Sequence, residues 1–175
     1  MFKPIETTRL LLRPFEPRDA AGMFAYASDI ETTRYMSFPI HKSVQDSVAV
    51  IEIFRAAAVA GTDFPVAFER KSDGRVIGSS GLHGFGYGGA SCGWILHSEA
   101  RGQGYGREGV AAVLAWGFSA WPELSCIEAA IRPQNTDSIR LAESVGMVQV
   151  GSKKSAMPNI GPGLFDMNLY RILKP

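Results

Sequence analysis

The chain has 175 residues, of which 46% are hydrophobic and 20% are charged, and its formal net charge is +1. These values are ordinary for a globular protein and argue against disordered, fibrous and membrane-spanning classes. Because the sequence has no basic tract and no cluster of Lys or Arg among aromatic residues, we expect no nucleic-acid-binding surface. The length suits a single domain over residues 1–175.

The first residues of the chain and its two cysteines bear on the cellular location and on disulfide or metal sites. The apolar run near the N-terminus is short and is interrupted by Arg and Pro, unlike the core of a signal peptide, so we expect a cytoplasmic protein without membrane association. Cys92 and Cys126 lie far apart and lack C-x-x-C spacing. We therefore expect neither a disulfide nor a metal site, and interpret both as small buried hydrophobic residues.

The first half of the chain predicts one strand, two helices and three further strands. A β-like run from Leu10 to Leu12 comes first, and the segment "EPRDAAGMFAYASD" carries the apolar stripe of a helix. A second helix is delimited by Ser43 as its N-cap and Gly61 as its stop. An Asp-Gly turn joins the first two of the next three strands, which read "FPVAFER", "RVIGSSGLH" and "ASCGWILH".

The second half predicts one parallel crossover in an otherwise antiparallel sheet. A strong helical pattern begins at Gly106 and is followed by the strand "SCIEAAIRP". The next helix, "NTDSIRLAESVG", has Asn135 at its N-cap and Gly146 at its end, and two strands finish the chain. The order of elements therefore predicts an α/β fold with a mixed sheet.

The stretch "RGQGYGREGV" that opens the third helix supports two interpretations. Counted from Gly104 it contains G-x-G-x-x-G, the dinucleotide fingerprint, but that motif belongs after the first strand of a parallel sheet. The dinucleotide motif requires an acidic residue about 20 positions further on, at the tip of the next strand, where it would hold a ribose. The acidic residue nearest that spacing, Glu128, lies inside its strand and not at the tip. The position of the motif therefore disfavours a dinucleotide site.

The other interpretation is a phosphate-binding loop. Gly102, Gly104 and Gly106 allow close backbone approach and turn their amides toward one point, directly before a helix N-terminus. Arg101 and Arg107 add positive charge at the edges of this loop, as a pyrophosphate requires. A glycine-rich turn that only permits tight strand-to-helix packing remains an alternative.

Four blocks of sequence carry a resemblance to a known family: "TTRLLLRP" followed by "RDA", "GRVIGSSGL", "CGWILHSEARGQGYGREGV" and "NTDSIRLAESVGM". In this order they resemble the GNAT N-acetyltransferases, and within them the RimJ/RimL type. In that family R-x-x-G-x-G, counted here from Arg101, is the pyrophosphate loop for acetyl-CoA. The last block has Met147 where the family usually has Phe.

The resemblance implies the GNAT fold, a mixed and mostly antiparallel sheet of about seven strands with about four helices, splayed between strands 4 and 5. Acetyl-CoA would lie in the splay, and backbone groups of Ile95 and Leu96 would bind its pantetheine arm. The pyrophosphate would be held by the backbone amides of Gly102, Gln103, Gly104, Tyr105, Gly106 and Arg107. Asn135 matches the family asparagine that contacts the pantetheine, although a plain helix N-cap is an equally good interpretation.

The implied reaction moves an acetyl group from acetyl-CoA to a primary amine, which must lose a proton to react. Many relatives use a carboxylate on the fourth strand as the base, and that position here is Ser91. If the flanking strands pair as predicted, His83 lies near Ser91 and could serve as the catalytic base, with a surface histidine as the alternative interpretation. Glu69 is a weaker candidate, acting through water.

The leaving thiolate also needs a proton. Many relatives donate it from a tyrosine, whose position here is Ala142, and Ser138 is the catalytic candidate suspected in some RimJ/RimL members. The Ser138 hydroxyl could donate to the sulfur or only hold its helix turn. Because acetyl transfer from a thioester can depend largely on positioning, the missing groups do not exclude activity.

The acceptor amine is not specified by the sequence. The resemblance places it between "TTRYMSFPIH" and "SAMPNIGPGLFD", and we single out the side chains Tyr35, Met36, Phe38, Phe64, Phe165 and Asp166. Three hypotheses stay open: acetylation of a protein N-terminal α-amine, such as that of a ribosomal protein, as the RimJ/RimL name suggests; acetylation of a small-molecule amine; and a catalytically silent acetyl-CoA-binding module. The expected partners are acetyl-CoA and the amine acceptor, with a homodimer left open.

Overall fold

The computed structural model describes residues 3–156 and 161–175. In these residues eight strands form one sheet in the order β1-β2-β3-β4-β5-β6-β8-β7. The strands are β1 (Ile5–Glu6), β2 (Leu10–Arg13), β3 (Phe64–Arg70), β4 (Arg75–Gly86), β5 (Gly89–Leu96), β6 (Cys126–Ile131), β7 (Val148–Ala156) and β8 (Leu164–Leu173). The helices are α1 (Ala20–Ala27), α2 (Ile30–Thr33), α3 (Val44–Ala60), α4 (Tyr105–Ala120) and α5 (Thr136–Ser144).

The predicted α/β architecture is confirmed, with two short elements added. The sheet gains β1 beyond the seven predicted strands, and α2 is a single turn whose N-cap, Asp29, accepts a hydrogen bond from the amide of Glu31 at 3.0 Å. The predicted ends of α3 are also confirmed. Ser43 forms a capping box with Asp46, and Gly61 ends the helix with a left-handed φ of 74°.

Helices cover both faces of the sheet, because successive strand residues point to opposite sides. Val66 and Phe68 of β3 face a large apolar cluster that includes α4, whereas Ala67 between them faces a smaller cluster with α1 and α3. Within the described residues, no helix has the length and apolar character needed to cross a membrane.

Helix α4 lies close to the sheet at Gly109. A Cβ atom placed on Gly109 would lie 2.5 Å from the ring carbons Cε2 and Cζ of Phe68, which is fully buried. Any side chain here would push the helix away from the sheet. The third glycine of the apparent dinucleotide motif therefore has a packing role.

The sheet opens between β5 and β6. These parallel strands pair only at Gly89 with Cys126, Ala90 with Ile127 and Ser91 with Glu128. Beyond Ser91, β5 continues to Leu96 in register with β4 alone, while β6 continues beside β8. The splay predicted between the fourth and fifth strands thus lies between β5 and β6, because β1 shifts the numbering by one.

Candidate functional site

A cavity of about 880 Å³ lies where β5 and β6 separate. Its walls come from the end of β5, from α2, from the loop before α4 and from the first turns of α5. Many of the residues singled out from the sequence line it: Ile95, Leu96, Arg101, Gly102, Gly104, Gly106, Arg107, Asn135 and Ser138. Gln103, Tyr105 and His83 are not among the lining residues.

The loop before α4 presents backbone amides to this cavity. Gly102 and Gly104 adopt left-handed φ values of 71° and 82°, which glycine reaches without steric cost. The first helical hydrogen bond runs from the amide of Glu108 to the carbonyl of Gly104, 3.1 Å. The amides of the three residues between them have no acceptor inside the helix and carry the positive end of its dipole. This arrangement fits a phosphate group.

The edge of β5 that faces the gap carries backbone groups that do not bond to β4, although the Leu96 carbonyl among them accepts hydrogen bonds from Arg101. The amide of His97 donates to the carbonyl of Ile77 in β4 at 2.8 Å. Since alternate residues of an antiparallel ladder bond to the same neighbour, Ile95 also bonds toward β4, whereas Trp94 and Leu96 direct their amides and carbonyls into the gap. An extended ligand could therefore pair with Trp94 and Leu96 as a strand does.

Arg101 connects the end of β5 to α2. Its guanidinium donates to the hydroxyl of Thr32 at 2.8 Å and to the carbonyl of Leu96 at 3.3 Å. Thr32 in turn donates to the carboxylate of Asp29 at 2.7 Å, and this hydrogen bond is the largest of the contacts that hold the pKa of Asp29 below its ordinary value. The Arg101 side chain thus lies on the α2 side of the cavity.

Helix α5 brings Asn135 and Ser138 to the opposite wall. Asn135 caps the helix, because its side-chain oxygen accepts a hydrogen bond from the amide of Ser138 at 3.2 Å. The hydroxyl of Ser138 accepts a hydrogen bond from the indole Nε1 of Trp94 at 3.3 Å. Trp94 was missed by sequence reasoning, since only the folded chain brings β5 and α5 together.

The side chains of Gln103 and Tyr105 do not line the cavity and contact groups outside it. The carbonyl of Gln103 accepts a hydrogen bond from the guanidinium of Arg9 at 2.8 Å, and the side-chain amide of Gln103 donates to the carbonyl of Glu99 at 2.5 Å. The guanidinium of Arg9 lies 4.4 Å from the centre of the Tyr105 ring. Arg9 was also missed, although it belongs to the "TTRLLLRP" block that carried the resemblance.

His83 pairs with Ser91 across the β4–β5 hairpin, in the predicted register. Partial removal of water by neighbouring groups lowers the pKa of its imidazole below 6.5, and the charge of Asp63 opposes this shift. The imidazole is therefore largely neutral at neutral pH, as a base must be.

The carboxylate of Glu69 is held by Arg13. Its carboxylate accepts a hydrogen bond from the buried Arg13 at 2.7 Å, and Arg13 also holds Asp19 through two hydrogen bonds of 2.7 and 2.8 Å. A carboxylate held in such a network has its lone pairs directed to the arginine. The structure therefore argues against Glu69 as a base.

The residues expected around the acceptor separate into two groups. Tyr35 and Met36, next to α2, line the cavity. Phe38 packs against the apolar cluster beneath α1 and α3. Phe64 lies in an aromatic cluster, with its ring centre 4.7 Å from that of Trp121, and is not a cavity residue.

The last hairpin contributes less than expected to the described part of the site. Residues 157–160 of "SAMPNIGPGLFD" lie outside the described residues. Phe165 lies against the guanidinium of Arg132, 4.7 Å from its ring centre, and Asp166 pairs with Lys154 at 3.0 Å on an exposed surface. Asp166 therefore has a lysine as its ion-pair partner. In residues 3–156 and 161–175, no three His, Cys, Asp or Glu side chains are grouped to hold a metal ion.

Comparison with known proteins identifies the class to which this fold and cavity belong. The family described as "Acetyltransferase (GNAT) domain" matches residues 9–148. The chain therefore belongs to the GNAT acetyltransferase family. It is 31% identical over 177 residues to the uncharacterised N-acetyltransferase YoaA of Bacillus subtilis (strain 168), with 100% of this chain and 99% of YoaA covered.

Solved structures agree with this assignment. An acetyltransferase (GNAT family) from Bacillus anthracis is 27% identical, with a TM-score of 0.83 and 98% of each chain covered. Mycobacterium smegmatis RimJ, solved in complex with CoA-disulfide, is 26% identical, with a TM-score of 0.78 over 94% of this chain and 81% of RimJ. The predicted GNAT fold and the resemblance to the RimJ/RimL type are confirmed.

Proposed function

We propose that the protein transfers the acetyl group of acetyl-CoA to a primary amine. The observation that carries this proposal is the gap between β5 and β6, which ends at the amides of the glycine loop before α4. An extended chain with an anionic end fits such a site, because the edge of β5 can pair with the extended part and the glycine loop beyond it can bind the anionic end. Pantetheine followed by pyrophosphate has this chemistry.

Each part of the donor has a corresponding group on the chain. The pyrophosphate binds to the backbone amides of the loop from Gly102 to Arg107, with the exposed Arg107 adding charge. The pantetheine amides pair with the edge of β5 that does not bond to β4, for which the ladder favours Trp94 and the amide of Leu96, while Ile95 lines the cavity. Asn135 has an N-cap role and also lines the cavity from the α5 side.

The chemical step needs one proton removed and one supplied. The amine nitrogen forms a bond to the thioester carbonyl carbon, the carbon–sulfur bond breaks, and the amine proton passes to a base while the thiolate takes another proton. The acceptor must enter this step as the neutral amine: a lysine ammonium has a pKa of about 10.4 and an α-ammonium one of about 8, so at neutral pH it first gives up a separate proton to solvent. We assign the base to His83 and the proton donor to Ser138.

The acceptor is either a protein N-terminal α-amine or a small-molecule amine. The resemblance to the RimJ/RimL type motivates the first possibility, and the cavity wall near Tyr35 and Met36 is where either acceptor would approach. At neutral pH a larger fraction of an α-amine than of a lysine amine is in the neutral form, so deprotonating an α-amine costs less free energy.

A thiol-release assay tests the function directly. Acetyl-CoA is offered with short peptides bearing different N-terminal residues, with amino acids, with polyamines and with aminoglycosides. Release of CoA with peptides alone identifies an N-terminal acetyltransferase, and release with small amines alone identifies the other acceptor class. Tight binding of acetyl-CoA without turnover on any amine would instead support the silent module, which Ser91 and Ala142 motivate.

A further inference from the structure

Arg9 lies outside the cavity but holds the loop that faces it. It follows the short strand β1 and reaches the first turn of α4, where its Nε donates to the carboxylate of Glu108 at 2.7 Å. One Nη atom of the same guanidinium donates to the carbonyl of Gln103, 2.8 Å away. Arg9 therefore bridges the first turn of the helix and the loop before it.

Glu108 fixes Arg9 from the other side. One carboxylate oxygen accepts hydrogen bonds from the backbone amide of Arg9 at 2.7 Å and from the hydroxyl of Thr7 at 2.6 Å, while the other oxygen accepts from the Arg9 side chain. Burial raises the pKa of Glu108, but these hydrogen bonds outweigh burial and keep the pKa below its ordinary value. Glu108 is thus ionised, and the guanidinium has a defined position.

The hydrogen bond to Gln103 fixes the direction of the next amide. A carbonyl and the amide that follows it belong to one planar unit, and in a trans peptide they point in opposite directions. No cis peptide occurs in the described residues. With the Gln103 carbonyl held toward Arg9, the N–H of Gly104 points away from Arg9, and Gly104 itself lines the cavity.

The absence of a side chain at Gly104 makes room for this arrangement. A Cβ atom on Gly104 would lie 3.2 Å from an Nη atom of Arg9, which is tighter than an ordinary contact. The guanidinium also lies over the Tyr105 ring, 4.4 Å from its centre, a position that favours a cation. The loop and Arg9 therefore fit each other closely.

We infer that Arg9 is a positioning residue for donor binding: it orients the Gly104 amide toward the pyrophosphate of acetyl-CoA without contacting the donor itself. This inference rests on the proposed function. A role confined to anchoring the N-terminal segment would affect every donor alike. A role in orienting the loop affects only donors that carry a pyrophosphate, and this difference makes the inference testable.

The test compares two donors on the variant Arg9→Met, which keeps an unbranched apolar side chain and removes the guanidinium donors. The Kd of CoA is measured by calorimetry, and kcat/KM is measured with acetyl-CoA and with S-acetyl-N-acetylcysteamine, which carries the thioester but no pyrophosphate. We expect the Kd of CoA to rise about tenfold, as for loss of a hydrogen bond to a charged group. We expect kcat/KM with the truncated donor to stay within about twofold of wild type.

Two further variants sharpen the comparison. Arg9→Lys can reach either Glu108 or Gln103 but lacks the fixed fork that reaches both, so partial rescue of CoA binding is expected. Glu108→Gln weakens the hold on Arg9 and should give the same donor-selective loss, less than additive with Arg9→Met. Arg55→Met, on the exposed face of α3 with Glu52 as its ion-pair partner, controls for loss of one positive charge.

The outcomes separate this inference from the proposed function. If wild type binds no CoA, the proposed function is wrong and the inference falls with it. If wild type binds CoA and Arg9→Met loses activity equally with both donors, or with neither, the positioning role is wrong and the proposed function stands. Should Arg9→Met fail to fold, the same comparison on Arg9→Lys and Glu108→Gln decides.

Discussion

Trp94 and Ser138 are joined by a hydrogen bond across the gap in the sheet: the indole Nε1 of β5 donates to the hydroxyl oxygen of α5 at 3.3 Å. Indole nitrogen is a donor only, so the Ser138 oxygen must be the acceptor and its own proton is free to point elsewhere. Both side chains line the cavity. The hydroxyl is thus held at the cavity wall with its proton available to a ligand.

Removing the hydroxyl and removing its partner should have graded effects. We expect Ser138→Ala to lower kcat about a hundredfold with little change in the Kd of acetyl-CoA, as for loss of a general acid. Trp94→Phe keeps an aromatic ring and loses only the donor, so the drop in kcat should be smaller, roughly threefold to tenfold. Steady-state kinetics with calorimetry measures both. An unchanged kcat in Ser138→Ala would mean that the thiolate leaves without help from this residue.

The glycine loop should fail when a side chain is introduced. Gly104→Val is expected to abolish acetyl-CoA binding and leave the fold intact, because the loop requires close backbone approach at a φ of 82°. Gly61→Val is the matched control. Gly61 has a φ of 74° but open space around it, at the far end of α3, so it bears similar strain of about 1–2 kcal/mol and should bind the donor normally. Equal affinity in the two variants would reduce the loop to a turn.

His83→Ala should cut turnover without weakening donor binding. The pKa of His83 lies below 6.5. Wild-type kcat should therefore rise with pH through this lowered pKa and stop rising once the imidazole is neutral. The variant should lose this rise along with most of its activity at neutral pH. A pH profile of kcat, with the Kd of CoA measured alongside, checks both points. Wild-type turnover in His83→Ala would make it a surface histidine of the hairpin.

The contact between Gly109 and Phe68 predicts a stability effect. Gly109→Ala places a methyl group 2.5 Å from ring carbons in a fully buried position, so we expect a loss of about 1–3 kcal/mol in the free energy of unfolding. Gly151→Ala in β7 meets no atom within 4 Å and should be near neutral. Urea unfolding followed by circular dichroism measures both. Equal stability of the two variants would show that α4 can move outward without cost.

His41 should make stability depend on pH. It is buried, its Nδ1 lies 2.8 Å from the Ser47 hydroxyl oxygen, and burial lowers its pKa below 6.5, with Asp46 opposing. The unfolded chain therefore binds a proton first as the pH falls. The contribution of His41 to stability is complete above its unfolded pKa and declines below it, until the pH reaches the lower pKa of the folded state.

The measurement is urea unfolding of wild type and His41→Gln at pH 7 and pH 5. We expect wild type to lose more stability between these values than the variant, by about 1.4 kcal/mol for each unit of pKa difference. Some decline should persist in the variant, because the pKa of His83 is lowered too. Equal declines in both proteins would mean that His41 titrates normally in the folded chain.

The sequence predicted those helices and strands that contain a periodic apolar pattern or capping residues of their own. Ser43, Gly61 and Asn135 mark helix ends through side-chain capping or glycine conformation, which depend on neighbouring residues only. The strand β1 and the helix α2 are too short for a periodic pattern, and neither was predicted. Short elements of this kind owe their form to the elements around them.

Some residues of the candidate site could likewise be predicted from the sequence and others could not. The glycines of the loop were predictable, because left-handed backbone and close approach require them. Arg9 and Trp94 were not, since each acts through a partner far along the chain: Arg9 through Glu108 and Trp94 through Ser138. The splay itself came from the resemblance and not from periodicity. The pairing of β5 and β6 stops at Ser91 although both strands continue.

The brief pairing of β5 with β6 divides the sheet into two ladders. Strands β1 to β5 form one continuous ladder and β6 to β8 another, joined by only three residue pairs at one end. A donor in the gap would bridge the two ladders, and by linkage it would raise the melting temperature as its concentration rises. The hydrogen-exchange rates of the β5 amides would then alternate along the strand. The amides of Trp94 and Leu96 would exchange more slowly when the ligand is bound, whereas the amide of Ile95 would exchange slowly with or without it.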